Sequence, residues 1–146
     1  MFIRLATLTF AVSLLTGASA RAECVMLWKD IKDAKRLSAV VFSGTVVEMK
    51  GDPDGVFVTF DVDRVWKGRA RRRLVMPLHT SLDSFRFENG RNYVVFADRL
   101  SPSDQRSMRV PTVTEPVFDV SSCSPTKPLD QAKDTVAILG RSTRPE

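Results

Sequence analysis

The stretch Val56-Phe57-Val58-Thr59-Phe60-Asp61-Val62-Asp63 alternates strictly, with Val56, Val58, Phe60 and Val62 on one side and Phe57, Thr59, Asp61 and Asp63 on the other. Side chains leave a strand on opposite faces in turn, so period two over eight residues specifies a strand with one buried and one wet face. Upstream, the dense turn signal Lys50-Gly51-Asp52-Pro53-Asp54-Gly55 joins it to a long apolar run from Ala39 to Met49, and the two form a hairpin. Gly44 interrupts that run, a bend or bulge of the kind small barrels use to turn corners.

Working outward, Leu74 to Leu78 reads as a third strand with Pro77 favouring an edge or bulge, and Asn92 to Ala97 as a fourth, after the Asn89-Gly90 turn. Met108 to Val120 offers a fifth, interrupted strand around Val110, Val113 and Val117, while the polar Ser101–Ser107 stretch reads as a loop. Ile31, Ala34 and Leu37 mark a short amphipathic helix over Asp30–Ser38. Leu129, Ala132, Val136 and Leu139 mark a C-terminal helix, with Pro128 in its first turn and Gly140 as its stop. Residues 141–146 are expected to be a flexible tail. The fold class is mainly β: a five-stranded Greek-key barrel flanked by a short N-terminal helix and a C-terminal helix.

The first twenty residues have the order of an export signal: Arg4, an uncharged apolar run from Leu5 to Thr16, then Gly17-Ala18-Ser19-Ala20. Cleavage is expected after Ala20 or after Ala22. The remainder should act outside the cytoplasm, periplasmic or secreted, as a monomer without a transmembrane segment. In an oxidising compartment the two cysteines most simply form one disulfide, Cys24–Cys123, with two free thiols as the alternative. Such a bridge closes a loop of about 100 residues, worth roughly 4–5 kcal/mol in the chain-entropy description.

A structural zinc site of the usual type needs four Cys or His ligands, and the chain has one His and two Cys. His79 has no nucleophile motif around it, so no Ser-His-Asp or Cys-His catalysis is expected. The chain is therefore read as a binding protein and not an enzyme, with no cofactor and no metal. The net charge of +5 is concentrated at Lys67, Arg69, Arg71, Arg72 and Arg73. This run is a candidate site for anionic polymers or envelope surfaces, or a solvated turn. Nucleic acid is disfavoured as a partner by export and by the lack of interleaved aromatics. Trp28 and Trp66 are read as packing residues.

Four segments carry a resemblance. They are Ala39-Val40-Val41-Phe42-Ser43-Gly44-Thr45-Val46, Val62-Asp63-Arg64-Val65-Trp66-Lys67-Gly68, Phe87 to Ala97, and Cys123-Ser124-Pro125-Thr126-Lys127-Pro128-Leu129. In order and spacing, across residues 24–140, they resemble the N-terminal domain of the tissue inhibitors of metalloproteinases and its bacterial exported relatives. The resemblance implies a netrin-like OB-fold, a Cys24–Cys123 bridge, and binding to a zinc protease or another extracytoplasmic protein. In that family the first residue of a Cys-x-Cys start chelates the protease's zinc through its α-amine and carbonyl. Here the place reads Ala22-Glu23-Cys24, so Cys24 matches the second Cys and Ala22 stands at the first. The partner of that first Cys is also missing, since its region reads Asp83-Ser84-Phe85-Arg86-Phe87. The candidate inhibitory edge is thus Glu23, Cys24 and Val25.

Overall fold

The computed structural model describes residues 28–52, 55–78, 85–110 and 115–146. The signal segment with its cleavage points, Glu23, Cys24, Val25, His79 and Asp83 lie outside the described residues. Among the described residues six strands and three helices follow in order: α1 (Ile31–Leu37), β1 (Val40–Asp52), β2 (Gly55–Lys67), β3 (Arg73–Leu78), β4 (Asn92–Arg99), α2 (Pro102–Ser107), β5 (Phe118–Asp119), β6 (Lys127–Pro128) and α3 (Lys133–Leu139). A 3-10 turn, Leu129–Gln131, leads into α3.

The strands form one sheet in the order β3-β2-β1-β4-β5, every neighbouring pair antiparallel, and the short β6 pairs with the start of β4. The sheet curls until β3 and β5 come together, giving a nearly closed five-stranded barrel. The fold class is the one expected from the alternation.

Curvature is encoded in β1. A Cβ on Gly44 would lie 2.8 Å from the Asp61 carbonyl oxygen, so only glycine permits β2 to approach this closely. The register shifts there, from Ser43 opposite Arg64 to Gly44 opposite Val62. Asp63 is thereby left over as a bulge residue. The bulge reverses the alternation of β2, so that Val62 and Val65 both point into the barrel.

Two cores result. Inside the barrel, Val40, Phe42, Phe60, Met76, Tyr93 and Val95 pack with Phe87 and Phe118. The rings of Phe42 and Phe60, and of Phe60 and Phe87, meet edge-to-face at centroid distances of 5.3 and 5.1 Å. Outside it, Val41, Trp66, Val94 and Phe96 are covered by Ala34 of α1 and by Ala132 and Leu139 around α3. Both faces of the start of β1 and of β4 from Tyr93 to Ala97 are therefore buried, which is why Val40-Val41-Phe42 and Tyr93 to Ala97 read as continuous apolar runs.

α1 begins with Asp30 accepting the Asp33 N–H at 2.8 Å. Asp33 in turn accepts from Arg36, and that guanidinium, with the Lys29 N–H, holds its carboxyl below the usual aspartate range. Lys35 Nζ donates to the Leu139 carbonyl at 3.1 Å, tying α1 to the C-terminal end of α3.

Four expectations need correction. The stretch Ser101–Ser107 is not a loop: Pro102–Ser107 is helical, capped by Ser101 Oγ accepting the Asp104 N–H at 3.2 Å, with proline in its first turn. It buries no residue, so no apolar periodicity announces it. The fifth strand is shorter than read, only Phe118–Asp119 among the described residues, and Pro128 belongs to β6 instead of the helix. Residues 141–146 are not frayed: Thr143 and Val65 exchange both backbone hydrogen bonds, at 2.9 and 2.7 Å. Further along, Glu146 N–H donates to the Ala70 carbonyl at 3.0 Å and its own carbonyl accepts the Arg72 N–H at 2.9 Å.

Candidate functional site

Trp28 lies just before α1 and is half-buried against the outer face of the barrel. Its indole Nε1 donates to the Cys123 carbonyl at 3.3 Å. The Cys123 loop is itself shaped by a local turn, in which Ser121 Oγ accepts the Cys123 N–H at 3.1 Å and Ser124 N–H donates to the Ser121 carbonyl at 3.0 Å. After it, Thr126 Oγ1 accepts the Phe96 N–H at 2.9 Å, so a buried hydroxyl satisfies a β4 amide and docks the loop on the barrel. Trp28, Cys123 and β4 thus form one connected unit at the barrel rim. Its far ends are 95 residues apart in sequence.

A cavity of about 590 Å³ opens at this rim, lined among others by Trp28, Leu37, Ser38, Asp98, Ser121 and Pro125. Leu37 is exposed by nearly half. Asp98 faces Asp119 across the β4–β5 ladder. Burial pushes the Asp98 carboxyl above the usual aspartate range; the Ala39 N–H works against this, the Asp119 charge adds to it, and Lys67 opposes it. The rim therefore offers apolar walls, three serines and a carboxyl displaced towards neutrality. Asp98 is a feature the sequence reading missed, because its environment depends on strand pairing and not on a local motif.

The basic run occupies a different place, beside the seam between β3 and β5. Most of its charges are engaged. Lys67 Nζ donates to the Arg36 carbonyl at 2.6 Å. Arg69 lies 3.6 Å from Glu146 and Arg72 3.8 Å from Asp61, and Arg71 is hydrogen-bonded to Glu115. Arg73 opens β3 and is exposed. A cavity of about 930 Å³ lies there, lined by Arg71, Arg73, Val75, Glu115 and Phe118 among others. Acids on β2 (Asp61), before β5 (Glu115) and after α3 (Glu146) thus divide the positive run, an arrangement unlike a continuous cationic track. Such exposed pairs are worth roughly 0–1 kcal/mol each and can exchange partners.

Trp66 is a packing residue, as expected: it is 7% exposed and its Nε1 donates to the Gly140 carbonyl at 3.0 Å. Among the described residues no three His, Cys, Asp or Glu side chains are grouped to hold a metal, and no helix is long and apolar enough to cross a membrane. The candidate edge Glu23, Cys24 and Val25 lies outside the described residues, as does the Cys24 end of the expected bridge. No protein-family model matches the chain, and no curated protein matches it.

Proposed function

We propose that this is an exported, non-catalytic binding module of the metalloproteinase-inhibitor kind, presenting Glu23, Cys24 and Val25 to a zinc protease from the rim of its barrel. The observation that carries this reading is the Trp28 Nε1 to Cys123 carbonyl hydrogen bond. It sets Trp28 beside the Cys123 loop, and Cys24 stands four residues before Trp28 in sequence, a span of at most about 14 Å when extended. A Cys24–Cys123 bridge is compatible with that reach. It would fix the residues next to the processed start, where ordering otherwise costs about 1–2 kcal/mol per residue. The chelating groups would be a backbone α-amine and carbonyl, which do not require a particular side chain.

The barrel-shaped sheet with two flanking helices supports kinship with the OB-fold inhibitors, and the order of β-strands supports the alignment of the four resembling segments. The reading of Lys67, Arg69, Arg71, Arg72 and Arg73 as an anion site is the weaker alternative, because three of the arginines already face carboxylates.

The test is inhibition of a panel of zinc metalloproteases by the exported protein, with its first residue determined by sequencing. Inhibition is expected from a chain that begins at Glu23, and at least a tenfold loss, about 1.4 kcal/mol, when two residues are added before that start. Equal inhibition by both chains would overturn the N-terminal mechanism, and inhibition by neither would overturn the functional assignment.

A further inference from the structure

The cavity of about 590 Å³ at the barrel rim has walls of two kinds. Trp28, Ala34, Leu37 and Pro125 supply the apolar part. Ala34 is buried, Leu37 is 46% exposed, and the Trp28 ring is held in place by its Nε1 hydrogen bond to the Cys123 carbonyl. An exposed leucine beside a half-buried indole keeps apolar surface in contact with water, and a ligand that covered it would be stabilised. The volume lies within the range of about 300–1,000 Å³ of small-molecule sites, which combine such walls with a few polar groups.

The polar groups are not equivalent. Two of the serines are committed to the loop itself: Ser121 Oγ accepts the Cys123 N–H, and Ser124 Oγ donates to Thr126 Oγ1 at 2.8 Å. Asp98 is the charged side chain among the described lining residues. It is exposed, so a ligand can reach its carboxylate, which offers about four acceptor positions and spends one on the Ala39 N–H. Asp119 stands directly across the β4–β5 ladder and adds negative charge. Lys67, the cation whose charge acts on Asp98, donates its ammonium to the Arg36 carbonyl at 2.6 Å. A chain of net charge +5 thus carries a locally negative wall at this cavity.

We infer that this cavity is a binding site for a small amine, its ammonium paired with Asp98 beside the Trp28 ring and its apolar body against Ala34, Leu37 and Pro125. An ammonium answers each feature of the wall. It brings three N–H donors to a carboxylate, it offsets the repulsion between Asp98 and Asp119, and indole is the aromatic ring that best attracts a cation. A hydroxyl supplies one donor and no charge, and an anion is repelled by both aspartates. The volume suits a whole small molecule and not a single side chain of a docking protein. The site does not rest on the inhibitor reading, since Asp98 and Leu37 play no part in that reading and the measurement contains no protease.

Titration of the exported protein with phenylethylamine, followed through its indole N–H resonances, tests the site. Trp28 and Trp66 are the chain's two tryptophans, and Trp66 is buried with its Nε1 on the Gly140 carbonyl, so its resonance should move far less. The amine should shift the Trp28 resonance saturably. Phenylethanol should bind about tenfold more weakly, and phenylpropanoate more weakly still. Asp98→Asn, which keeps the shape of the side chain, should lose about tenfold in affinity for the amine and none for the alcohol, a pattern that a damaged fold would not give. No saturable shift at Trp28 would remove the site. Equal affinity for amine and alcohol, or an Asp98→Asn chain that binds the amine like the wild type, would remove the pairing with Asp98. Tighter binding of acetyl-lysine amide than of phenylethylamine would overturn the small-molecule assignment, since a protein side chain would then be the better occupant.

Discussion

The two sides of the barrel are built differently. From β3 through β2 and β1 to β4, strands of 6 to 13 residues pair along ladders, and their inward residues form one apolar core. Between β4, β5 and β3 the sheet narrows to a two-residue strand, and polar contacts bridge what ladders do not. The long side derives its order from burial, which is insensitive to salt and pH. The seam buries Phe118 and Val120 as well, and adds exposed charge pairs that salt screens.

Breaking the long side should have the largest effect. Phe60 is fully buried and its ring meets both Phe42 and Phe87. Phe60→Ala should cost about 3–5 kcal/mol, measured by urea unfolding, with a midpoint loss that high salt does not repair. On the seam, Arg71→Ala removes the contact with Glu115 and should change stability by no more than about 0.5 kcal/mol. The difference from the wild type should fade as salt is raised to about 1 M, where the screening length falls to about 3 Å.

The smallest effect concerns Asp98. Burial raises its carboxyl, so the folded chain holds that proton more tightly than the unfolded chain, and the charged form at neutral pH costs stability. Asp98→Asn should therefore be neutral to slightly stabilising at pH 7, by at most about 0.5 kcal/mol after allowance for solvent around a partly exposed group. The gain should shrink as pH falls through the raised pKa towards 3.8, because the aspartate itself becomes neutral there. Thermal unfolding from pH 7 to pH 4 measures it, and a gain that grows on acidification would contradict the assigned sign.

The same contrast explains what could be read from the sequence. Residues 56–63 disclosed β2 because one face meets the core and the other meets water. Gly44 disclosed the bend because a Cβ has no room there. α1 disclosed itself through its apolar positions Ile31, Ala34 and Leu37. By contrast, α2 buries nothing, so only its capping residues Ser101, Pro102 and Asp104 signalled it, and these also suit a loop. Thr143 and Glu146 hold the tail through main-chain groups, which every residue possesses and no composition reveals. At the rim, Trp28 and Cys123 could each be singled out, yet their hydrogen bond spans nearly the whole chain and depends on the completed barrel. The partners of Arg69, Arg71 and Arg72 are 77, 44 and 11 residues away in sequence, so the basic run looked freer than it is.

β1 is flanked by one neighbour that follows it immediately and by another that arrives much later. With β2 it makes a tight hairpin, whereas its ladder with β4 joins Val40 to Ala97 across most of the barrel's length. Closing the hairpin restricts few residues and closing the second ladder restricts many, so assembly should have a fast local stage and a slow global one. Until β4 pairs with it, the edge of β1 opposite β2 stays open, waiting for the strand that completes it.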